Sequence, residues 1–475
     1  MLRRTRAACA LLPVLLVCAA TRAGTPVRVQ NDTPRTWRCQ VRGQPAPAIE
    51  PLARRTLLTL GEDGAQGLLA ALLEAEGGLR VWLRLRTDPR VGWALEERAL
   101  VAADGGRIEV SCRAQTERGR RVLELRLREE APHPAPTGPD ELSVLAWNVW
   151  LRPTTLFGNG QRERVGHIPA FVAGYDVVVF SEAFDDDERE ALLRGLRPEF
   201  PYVTRVVGKD KFLAQDGGVI LVSRWPIERE AQEVFRAYSG GDAHADKGVI
   251  YARVRKQGQA WHLFGTHLQA GPESDPRKVA DRAAQMRQLR AFLDAQQIPA
   301  GEPVLVCGDL NVDLKPGADA ALGAEMAAAL GLLQAERLPL AGALGLTFDA
   351  ATNPLAEEVR EHLDHVLVSR THAPLRGEVA VRAFRTREPL RFMGQRICYD
   401  LSDHFAVAAR VRLAPAGSAM PVAGAMPVAP GLPVAPGLPV APGMPVAPRL
   451  PVAPGMPVAP GMPVAPGMTV ALERE

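Results

Sequence analysis

The chain has 475 residues, 47% of them hydrophobic and 23% charged, and its formal net charge is +3. These proportions are typical of a soluble globular protein, and the length suggests up to three domains. The small net charge argues against a protein built mainly to bind nucleic acid, because such domains are strongly basic. Arginine greatly outnumbers lysine. Clusters such as Arg118, Arg120 and Arg121 are therefore interpreted as solvated surface and not as a phosphate site.

Residues 1–23 have the pattern of a secretory signal peptide. Arginines near the start precede the apolar run 7–20, which is too short to span a bilayer comfortably. Small residues then predict cleavage near Ala20 or Ala23, with a lipoprotein signal ending at Cys18 as the alternative. The protein is predicted to be secreted, either released or held at the cell surface.

The next region, 25–132, is predicted to be a small β-rich domain. Apolar and polar residues alternate in segments such as 81–85 and 122–127, as expected for half-buried strands of a β-sandwich. Cys39 and Cys112 both fall here, and an oxidising compartment favours a disulfide between them. Two separate buried thiols are the alternative. No residue pattern in this region indicates chemistry.

A proline-rich linker, 133–140, separates the β-rich region from a region with a different pattern of apolar residues. From 141 to 413, apolar strands alternate with helical stretches, which predicts an α/β domain. The clearest helix covers 279–293. The predicted strands are Val144–Trp147, Val177–Phe180, Val219–Val222, Val249–Val254, His262–Gly265, Val304–Cys307, His365–Val368 and Phe405–Val411.

The tail, 414–475, repeats a six-residue unit of the type Gly-Met-Pro-Val-Ala-Pro. Proline at every third position removes backbone donors and fixes φ, so a packed core or a regular helix is excluded. We predict a disordered, polyproline-like spacer, with a cell-wall or partner-binding role as the alternative.

Acidic, amide and histidine side chains follow many of the predicted strands. Strand ends in α/β folds converge on one rim, where sites form. A single Asp-His pair is weak evidence, but six such elements in order are strong. They are Asn148, Ser181-Glu182, Thr266-His267, Gly308-Asp309-Leu310-Asn311, Asp364-His365 and Asp403-His404.

This set fits the metal-assisted cleavage of a phosphodiester. A hard cation such as Mg²⁺ prefers carboxylate oxygen, so Glu182 is the predicted ligand, helped by Asn148. His404 is predicted to take the proton from an attacking water, with Asp364 holding its other ring nitrogen.

Three further residues complete the predicted site. Asp309 and Asn311 are predicted to position water or phosphate. His267 is predicted to donate to the phosphate as its charge increases.

Together these residues resemble the superfamily of endonucleases, exonucleases and phosphatases related to pancreatic deoxyribonuclease. The resemblance covers about 141–413 and implies a four-layer α/β sandwich. The family's metal-binding and catalytic positions correspond here to Asn148, Glu182, Asp309, Asn311, Asp364, Asp403 and His404.

Within that superfamily the sequence resembles bacterial neutral sphingomyelinase C, a phospholipase C-like enzyme. The stretches that carry this likeness are Asn148-Val-Trp-Leu151, Ser181-Glu-Ala-Phe-Asp185, Asp216-Gly-Gly-Val219, Asp246-Lys-Gly248, Gly265-Thr-His-Leu-Gln-Ala270 and Thr347-Phe-Asp-Ala-Ala-Thr-Asn353. The resemblance implies that Lys247 holds the phosphate or orders a loop, with a solvated turn as the alternative. Asp349 and Asn353 are predicted to line the choline-phosphate side, with a capped turn as the alternative.

The resemblance also implies a hairpin that contacts a membrane before the final Asp-His pair. Phe392 and Met393 occupy its expected tip, where a short apolar run can alternatively be core. The absence of tryptophan there departs from the family pattern and predicts weaker membrane affinity.

The predicted function is hydrolysis of sphingomyelin to ceramide and phosphocholine with Mg²⁺, for which Mn²⁺ or Co²⁺ can substitute. The predicted partner is a sphingomyelin-containing membrane surface, with no nucleic acid and no obligate protein partner. The alternatives are a secreted nuclease of the same superfamily, a phosphatase acting on inositol phosphates, and an inactive secreted binding protein. A site for inositol phosphates would need a cationic cluster that the sequence lacks.

Overall fold

The structure, a computed structural model, describes residues 25–33, 35–41, 44–60, 68–75, 80–88, 92–101, 108–117, 120–129, 133–154, 158–208, 215–314, 323–392 and 396–414. The predicted signal peptide lies outside these residues, as does the predicted tail beyond Ala414. Met393 and the side chain of Phe392 are outside them too. No helix in these ranges is both long enough and apolar enough to cross a membrane.

The predicted β-rich region contains nine strands in its described parts. They are β1 (Thr25–Asp32), β2 (Trp37–Val41), β3 (Gln44–Ile49), β4 (Arg54–Leu60), β5 (Leu68–Ala75), β6 (Arg80–Asp88), β7 (Gly92–Val101), β8 (Ile108–Glu117) and β9 (Arg120–Glu129). One sheet has the order β4-β1-β9-β8 and the other β3-β2-β5-β6-β7. Val29 and Leu125 of the first sheet share a hydrophobic cluster with Trp37 and Leu73 of the second.

The disulfide predicted between Cys39 and Cys112 is wrong. The Cys39 thiol is buried and unbridged, and its sulfur lies 3.7 Å from the carbonyl oxygen of Trp37. The two cysteines lie on β2 and β8, which belong to different sheets. Burial raises the pKa of the Cys39 thiol to about 12, so Cys39 is an inert, packed thiol.

After residue 140 the described ranges contain seventeen strands and five α-helices. The strands are β10 (Glu141–Leu151), β11 (Val177–Ala183), β12 (Tyr202–Val203), β13 (Ile220–Ser223), β14 (Ile227–Val234), β15 (Gly248–Lys256), β16 (Gln259–His267), β17 (Val304–Asp309), β18 (Ala335–Arg337), β19 (Leu340–Ala341), β20 (Phe348–Asp349), β21 (Arg360–Glu361), β22 (Asp364–Ser369), β23 (Leu375–Arg382), β24 (Arg385–Phe392), β25 (Arg396–Asp400) and β26 (Ala406–Leu413). The helices are α1 (Gln161–Val165), α2 (Ile168–Val172), α3 (Asp186–Leu196), α4 (Pro276–Ala295) and α5 (Ala324–Leu333).

The mixed α/β character predicted for this region is confirmed. Each of the eight predicted strands overlaps an observed strand, and the predicted helix lies within α4. Asp275 begins α4 because its carboxylate accepts hydrogen bonds from the first free backbone N–H groups, and Pro276 suits the first turn.

Two sheets organise this region, with the orders β12-β13-β11-β10-β26-β23-β19 and β14-β15-β16-β17-β22-β18. Val144 and Leu263 belong to a hydrophobic cluster that both sheets share. The other face of the seven-stranded sheet packs with α2 and α3, for example through Leu192. The other face of the six-stranded sheet packs with α4 and α5, for example through Met286. Both faces of each sheet are thus buried, which explains the nearly continuous apolar strands.

Strand register in the six-stranded sheet aligns three of the predicted site residues. His267 pairs with Asp309 across parallel strands, and Asp309 pairs with Asp364 across antiparallel strands. Gly308 permits this alignment, since it has a φ of 135° and an added Cβ would lie 2.0 Å from the carbonyl oxygen of Thr266.

The seven-stranded sheet supplies the facing half of the site. Asn148 pairs with Ser181 across the parallel strands β10 and β11, so Glu182 follows directly beside it. Strand β26 runs antiparallel to β10, and its start therefore lies near the end of β10. His404, two residues before β26, is brought to the same edge.

Candidate active site

The centre of the site is a buried histidine–carboxylate pair. His404 Nδ1 lies 2.7 Å from Asp364 Oδ2, and both side chains are nearly inaccessible to solvent. The ring of Phe348 packs edge-on against the imidazole at a centroid distance of 4.9 Å. Burial opposes a charge on His404, but the carboxylates of Asp364, Asp403 and Asp309 outweigh it and raise the pKa of His404 well above its ordinary value.

Asp309 connects the other groups of the site. Its Oδ2 accepts a hydrogen bond from Asn148 Nδ2 at 3.0 Å, and its Oδ1 accepts one from the backbone N–H of Asn311 at 2.9 Å. The same Oδ2 lies 3.6 Å from His267 Nε2 and 3.9 Å from His404 Nε2. The two predicted histidines therefore face one carboxylate.

The three aspartates of the site differ in their affinity for a proton. Burial, assisted by repulsion from Asp364, raises the pKa of Asp309 to about 7. Burial also raises the pKa of Asp403 to about 6, with repulsion from Glu182 as a further cause. Burial acts in the same direction on Asp364, but His404 outweighs it and lowers the Asp364 pKa. Three buried carboxyl groups that differ in their affinity for a proton therefore surround the His404 imidazole.

Glu182 lies beside this group in a strained backbone conformation, with a φ of 54°. Its Oε1 accepts a hydrogen bond from Asn148 Nδ2 at 3.1 Å. Its Oε2 is buried and accepts no hydrogen bond from the described residues; Arg152 Nε lies 3.6 Å away. Asp364 Oδ1 is the other carboxylate oxygen of the site that is buried without a hydrogen-bond partner among the described residues.

The orientation of Asn148 bears on its predicted role as a metal ligand. Its Oδ1 accepts from the backbone N–H of Trp150 at 3.1 Å, so its amide NH₂ group faces Glu182 and Asp309. In this orientation Asn148 positions the two carboxylates and offers them donors. That Asn148 itself binds a metal stays a prediction.

The donor set fits a hard divalent cation. Oxygen and nitrogen atoms of Asp309, Asp364 and His404 lie within 4.8 Å of one another, a spacing compatible with a metal. In that trio, however, Asp364 is already paired with His404 at 2.7 Å. Glu182 offers an oxygen that accepts no hydrogen bond from the described residues, and carboxylate oxygen is what Mg²⁺ prefers. We therefore favour Glu182 as the principal ligand.

Lys247 is buried at the edge of the site, and the protein occupies its three donors. Its Nζ donates to Asp242 Oδ2 at 2.9 Å, to His267 Nε2 at 3.0 Å and to the carbonyl oxygen of Leu268 at 2.9 Å. Asp242 lies in a short 3₁₀ turn, Gly240–His244, so Lys247 ties this turn to the end of β16. These contacts match the loop-ordering interpretation, and phosphate contact by Lys247 stays a prediction.

His267 is neutral and accepts from Lys247. Burial, together with the positive charges of Lys247 and His404, holds the pKa of His267 well below its ordinary value. Because Nε2 accepts from the ammonium group, Nδ1 carries the ring proton, and Nδ1 has no partner among the described residues. Donation from His267 to a phosphate stays a prediction.

The two predicted choline-side residues have structural partners. Arg360 donates to both carboxylate oxygens of Asp349, which also accepts from Thr352 in a capped turn. Asn353 Nδ2 donates to the carbonyl oxygens of Ser402 and Asp403, at 2.8 and 3.0 Å. Asn353 thus supports the segment before His404, and substrate contact by either residue stays a prediction.

Sequence reasoning missed Arg164, a fully buried residue behind the site. Its guanidinium donates to the carbonyl oxygens of Val149, Trp150 and Leu401 and so ties the end of β10 to the segment before Asp403. In the sequence Arg164 lies in the run Gln161-Arg-Glu-Arg164, which looks like exposed helix surface. No signal in that run distinguishes it from a solvated arginine.

Residues 145–404 match the Endonuclease/Exonuclease/phosphatase family. A sphingomyelinase C from Leptospira interrogans is 36% identical over 255 residues, which are 49% of this chain and 44% of that protein. A sphingomyelinase C from Bacillus cereus is 34% identical over 259 residues, or 49% of this chain and 77% of that protein. The chain thus spans less than half the length of the Leptospira relative.

Solved structures show the same likeness. Sphingomyelinase C from Streptomyces griseocarneus superposes with a TM-score of 0.51 at 33% identity and covers 57% of this chain and 99% of its own. A beta toxin from Staphylococcus aureus with bound magnesium ions superposes with a TM-score of 0.52 at 28% identity, with the same coverage. The chain therefore belongs to the endonuclease/exonuclease/phosphatase family, among the bacterial sphingomyelinase C sequences.

Proposed function

We propose that the protein is a metal-dependent phosphodiesterase that hydrolyses sphingomyelin to ceramide and phosphocholine. The observation that carries the proposal is the buried His404–Asp364 pair, set beside Glu182 with its oxygen that accepts no hydrogen bond from the described residues. Relatives named sphingomyelinase C favour this substrate over other phosphodiesters.

In the proposed reaction His404 acts as the general base. Asp364 accepts from Nδ1, which fixes the imidazole so that Nε2 receives the proton. Water loses that proton as its oxygen attacks phosphorus. The bond from phosphorus to the ceramide oxygen then breaks, that oxygen takes a proton from solvent to leave as ceramide, and His404 returns its proton to solvent. Asp309, 3.9 Å from His404 Nε2, orients the ring and the water.

Glu182 is proposed to hold the divalent cation, with Asn148 orienting the carboxylate. When bound there, Mg²⁺ would supply positive charge to offset that of a phosphate oxygen and of the leaving group. The magnesium-bound beta toxin supports this choice of metal.

The proposal also covers the domain organisation, the secretion of the protein and its contact with a membrane. Residues 141–413 form a four-layer catalytic domain, 25–132 a β-rich domain and 414–475 a spacer, and the protein is secreted. The strand pair β24–β25 is the proposed membrane-facing hairpin, with Phe392 and Met393 at its tip. Sphingomyelin is a membrane lipid, so such a hairpin brings the site to its substrate.

The test is phosphocholine release from sphingomyelin liposomes, with Mg²⁺ or with EDTA. We expect release that needs the metal and that His404→Ala removes almost entirely. The matched control is His167→Ala, because His167 is exposed and its side chain makes no cap hydrogen bond. Plasmid DNA is assayed in parallel. Cleavage of DNA without phosphocholine release would reassign the site to a nuclease.

A further inference from the structure

Two buried charged residues of the N-terminal strands, Asp32 on β1 and Arg126 on β9, bind the strand pair β24–β25. Asp32 Oδ1 accepts from Arg385 Nη1 at 2.6 Å, and Asp32 Oδ2 accepts from Arg126. Arg385 Nε in turn donates to Asp400 Oδ1 at 2.7 Å. All four side chains are at most 5% exposed. Two cations and two anions thus form a balanced buried network between regions 353 residues apart in sequence.

The network holds both strands of the hairpin at their base. Arg385 and Asp400 are themselves paired across β24 and β25. Arg126 Nη1 donates to the carbonyl oxygen of Arg387 on β24 at 2.8 Å. Its guanidinium also lies 3.5 Å above the ring of Tyr399 on β25, a close cation–π contact.

Two sets of contacts join this region to the residues on either side of His404. Arg385 Nη2 donates to the carbonyl oxygen of Thr352 at 2.5 Å, and the next residue, Asn353, holds the backbone of Asp403. Separately, Leu52 of the N-terminal region packs in one hydrophobic cluster with Val381 and Phe405. Phe405 directly follows His404.

We propose that the N-terminal β-rich region is a positioning element of the catalytic site, acting through Asp32 and Arg126. It fixes the base of the β24–β25 hairpin and supports the Asp403–His404 segment from behind. These are positioning residues, since neither is placed against the reacting atoms. The expected effect on catalysis rests on the proposed function. The contact of the N-terminal region with the hairpin and with the segment around His404 does not.

The experiment compares full-length variants by amide hydrogen exchange and by kinetics. Asp32→Asn leaves two buried arginines with one carboxylate and is expected to be destabilised. The double variant D32N/R126Q removes one charge of each sign and keeps the Arg385–Asp400 pair. The control is Arg35→Gln, which breaks the ion pair between Arg35, in the connection from β1 to β2, and Glu129 at the end of β9.

In the folded double variant we expect the backbone amides of residues 385–392 and 396–406 to exchange at least about tenfold faster than in the wild type. We also expect kcat for phosphocholine release to fall by about tenfold or more, with the affinity for Mg²⁺ unchanged, because a small misplacement of a base is costly. Arg35→Gln should leave both segments and kcat as in the wild type.

Unchanged exchange of these two segments in a folded D32N/R126Q protein would overturn the proposal. An equal effect of Arg35→Gln would also overturn it, since loss of stability alone would then be the cause. A wild-type protein that releases no phosphocholine would refute the proposed function instead, and the exchange measurement would still decide the coupling.

Discussion

Asn148 Nδ2 donates to Asp309 Oδ2 over 3.0 Å, and this hydrogen bond joins the ends of two separate sheets. Asn148 lies on β10 of the seven-stranded sheet and Asp309 on β17 of the six-stranded sheet. The bond thus connects the half of the site with Glu182 to the half with His267 and Asp364. One amide group thus links Glu182, the proposed metal ligand, to Asp309, the carboxylate that faces both histidines.

Replacing Asn148 should change the protonation of Asp309. The pKa of Asp309 is raised to about 7 by burial and by Asp364, and the Asn148 donor opposes this rise. Asn148→Ala removes the donor, so we expect the Asp309 pKa to increase further. Carboxyl ¹³C NMR titration of the metal-free protein measures the change. A pKa that does not move would show that the amide does not stabilise this carboxylate.

Asp364→Asn should leave the fold intact and lower kcat by about 10²- to 10⁴-fold, the usual contribution of a general base. Asparagine carries no negative charge and binds the Nδ1 hydrogen less strongly than the carboxylate does. The imidazole is therefore less well oriented, and its protonated form is no longer favoured by the charge of Asp364. The pKa of His404 should therefore fall. Steady-state kinetics and histidine NMR measure the two effects. Asp294→Asn is the control, because this exposed residue pairs only with Arg290 in the described contacts.

The proximity of several predicted site residues could be foreseen because it follows from local sequence pattern. Alternating and continuous apolar runs locate strand ends, and strand ends of an α/β fold meet at one edge. This reasoning predicted that Asp309, Asp364 and His404 lie at one edge. In the structure one side-chain oxygen or nitrogen atom of each lies within 4.8 Å of those of the other two.

The rest depends on contacts between segments that no local pattern links. Arg164 and Arg385 look like surface arginines in the sequence, yet both are buried by partners far along the chain. The Cys39–Cys112 prediction failed for the same reason, since sequence alone does not say which side chains come within bonding distance, and the Cys39 thiol is buried and unbridged.

Glu182→Gln should weaken Mg²⁺ binding by at least about tenfold, because the replaced oxygen no longer carries a charge. Isothermal titration with Mg²⁺ or Mn²⁺ measures the affinity. The control is Glu188→Gln on α3, a buried glutamate whose Oε1 pairs with Arg162. Equal affinities for the wild type and Glu182→Gln would place the metal elsewhere, with the Asp309, Asp364 and His404 trio as the next candidate.

Mg²⁺ should lower the pKa of His404. In the metal-free protein burial opposes the charge on His404, but three carboxylates outweigh it and raise this pKa well above its ordinary value. A cation at Glu182 adds positive charge nearby and disfavours the imidazolium, which makes the free base available at lower pH. Histidine NMR titration with and without Mg²⁺ measures the shift. A similar shift in Glu182→Gln would contradict the assigned ligand.

Asp185 should contribute to stability in a pH-dependent way. Its carboxylate caps α3 by accepting from Glu188 N at 3.1 Å, and it also accepts from Thr154 N at 2.7 Å. Burial opposes ionisation, but these hydrogen bonds outweigh it and lower the Asp185 pKa below the ordinary 3.8. Asp185→Ala should therefore cost about 1 kcal/mol at neutral pH, the usual cost of losing a cap.

The sign of this effect determines its pH window. A pKa lowered by folding stabilises the protein fully above the unfolded value, and the contribution disappears as pH falls through the folded value. The difference in unfolding free energy between the wild type and Asp185→Ala should thus be constant near neutrality and shrink below 3.8. Urea denaturation across this range measures it, with Asp187→Ala as the control on the same helical turn. A difference that stays constant into strong acid would mean that side-chain packing, and not the carboxylate charge, makes the contribution of Asp185.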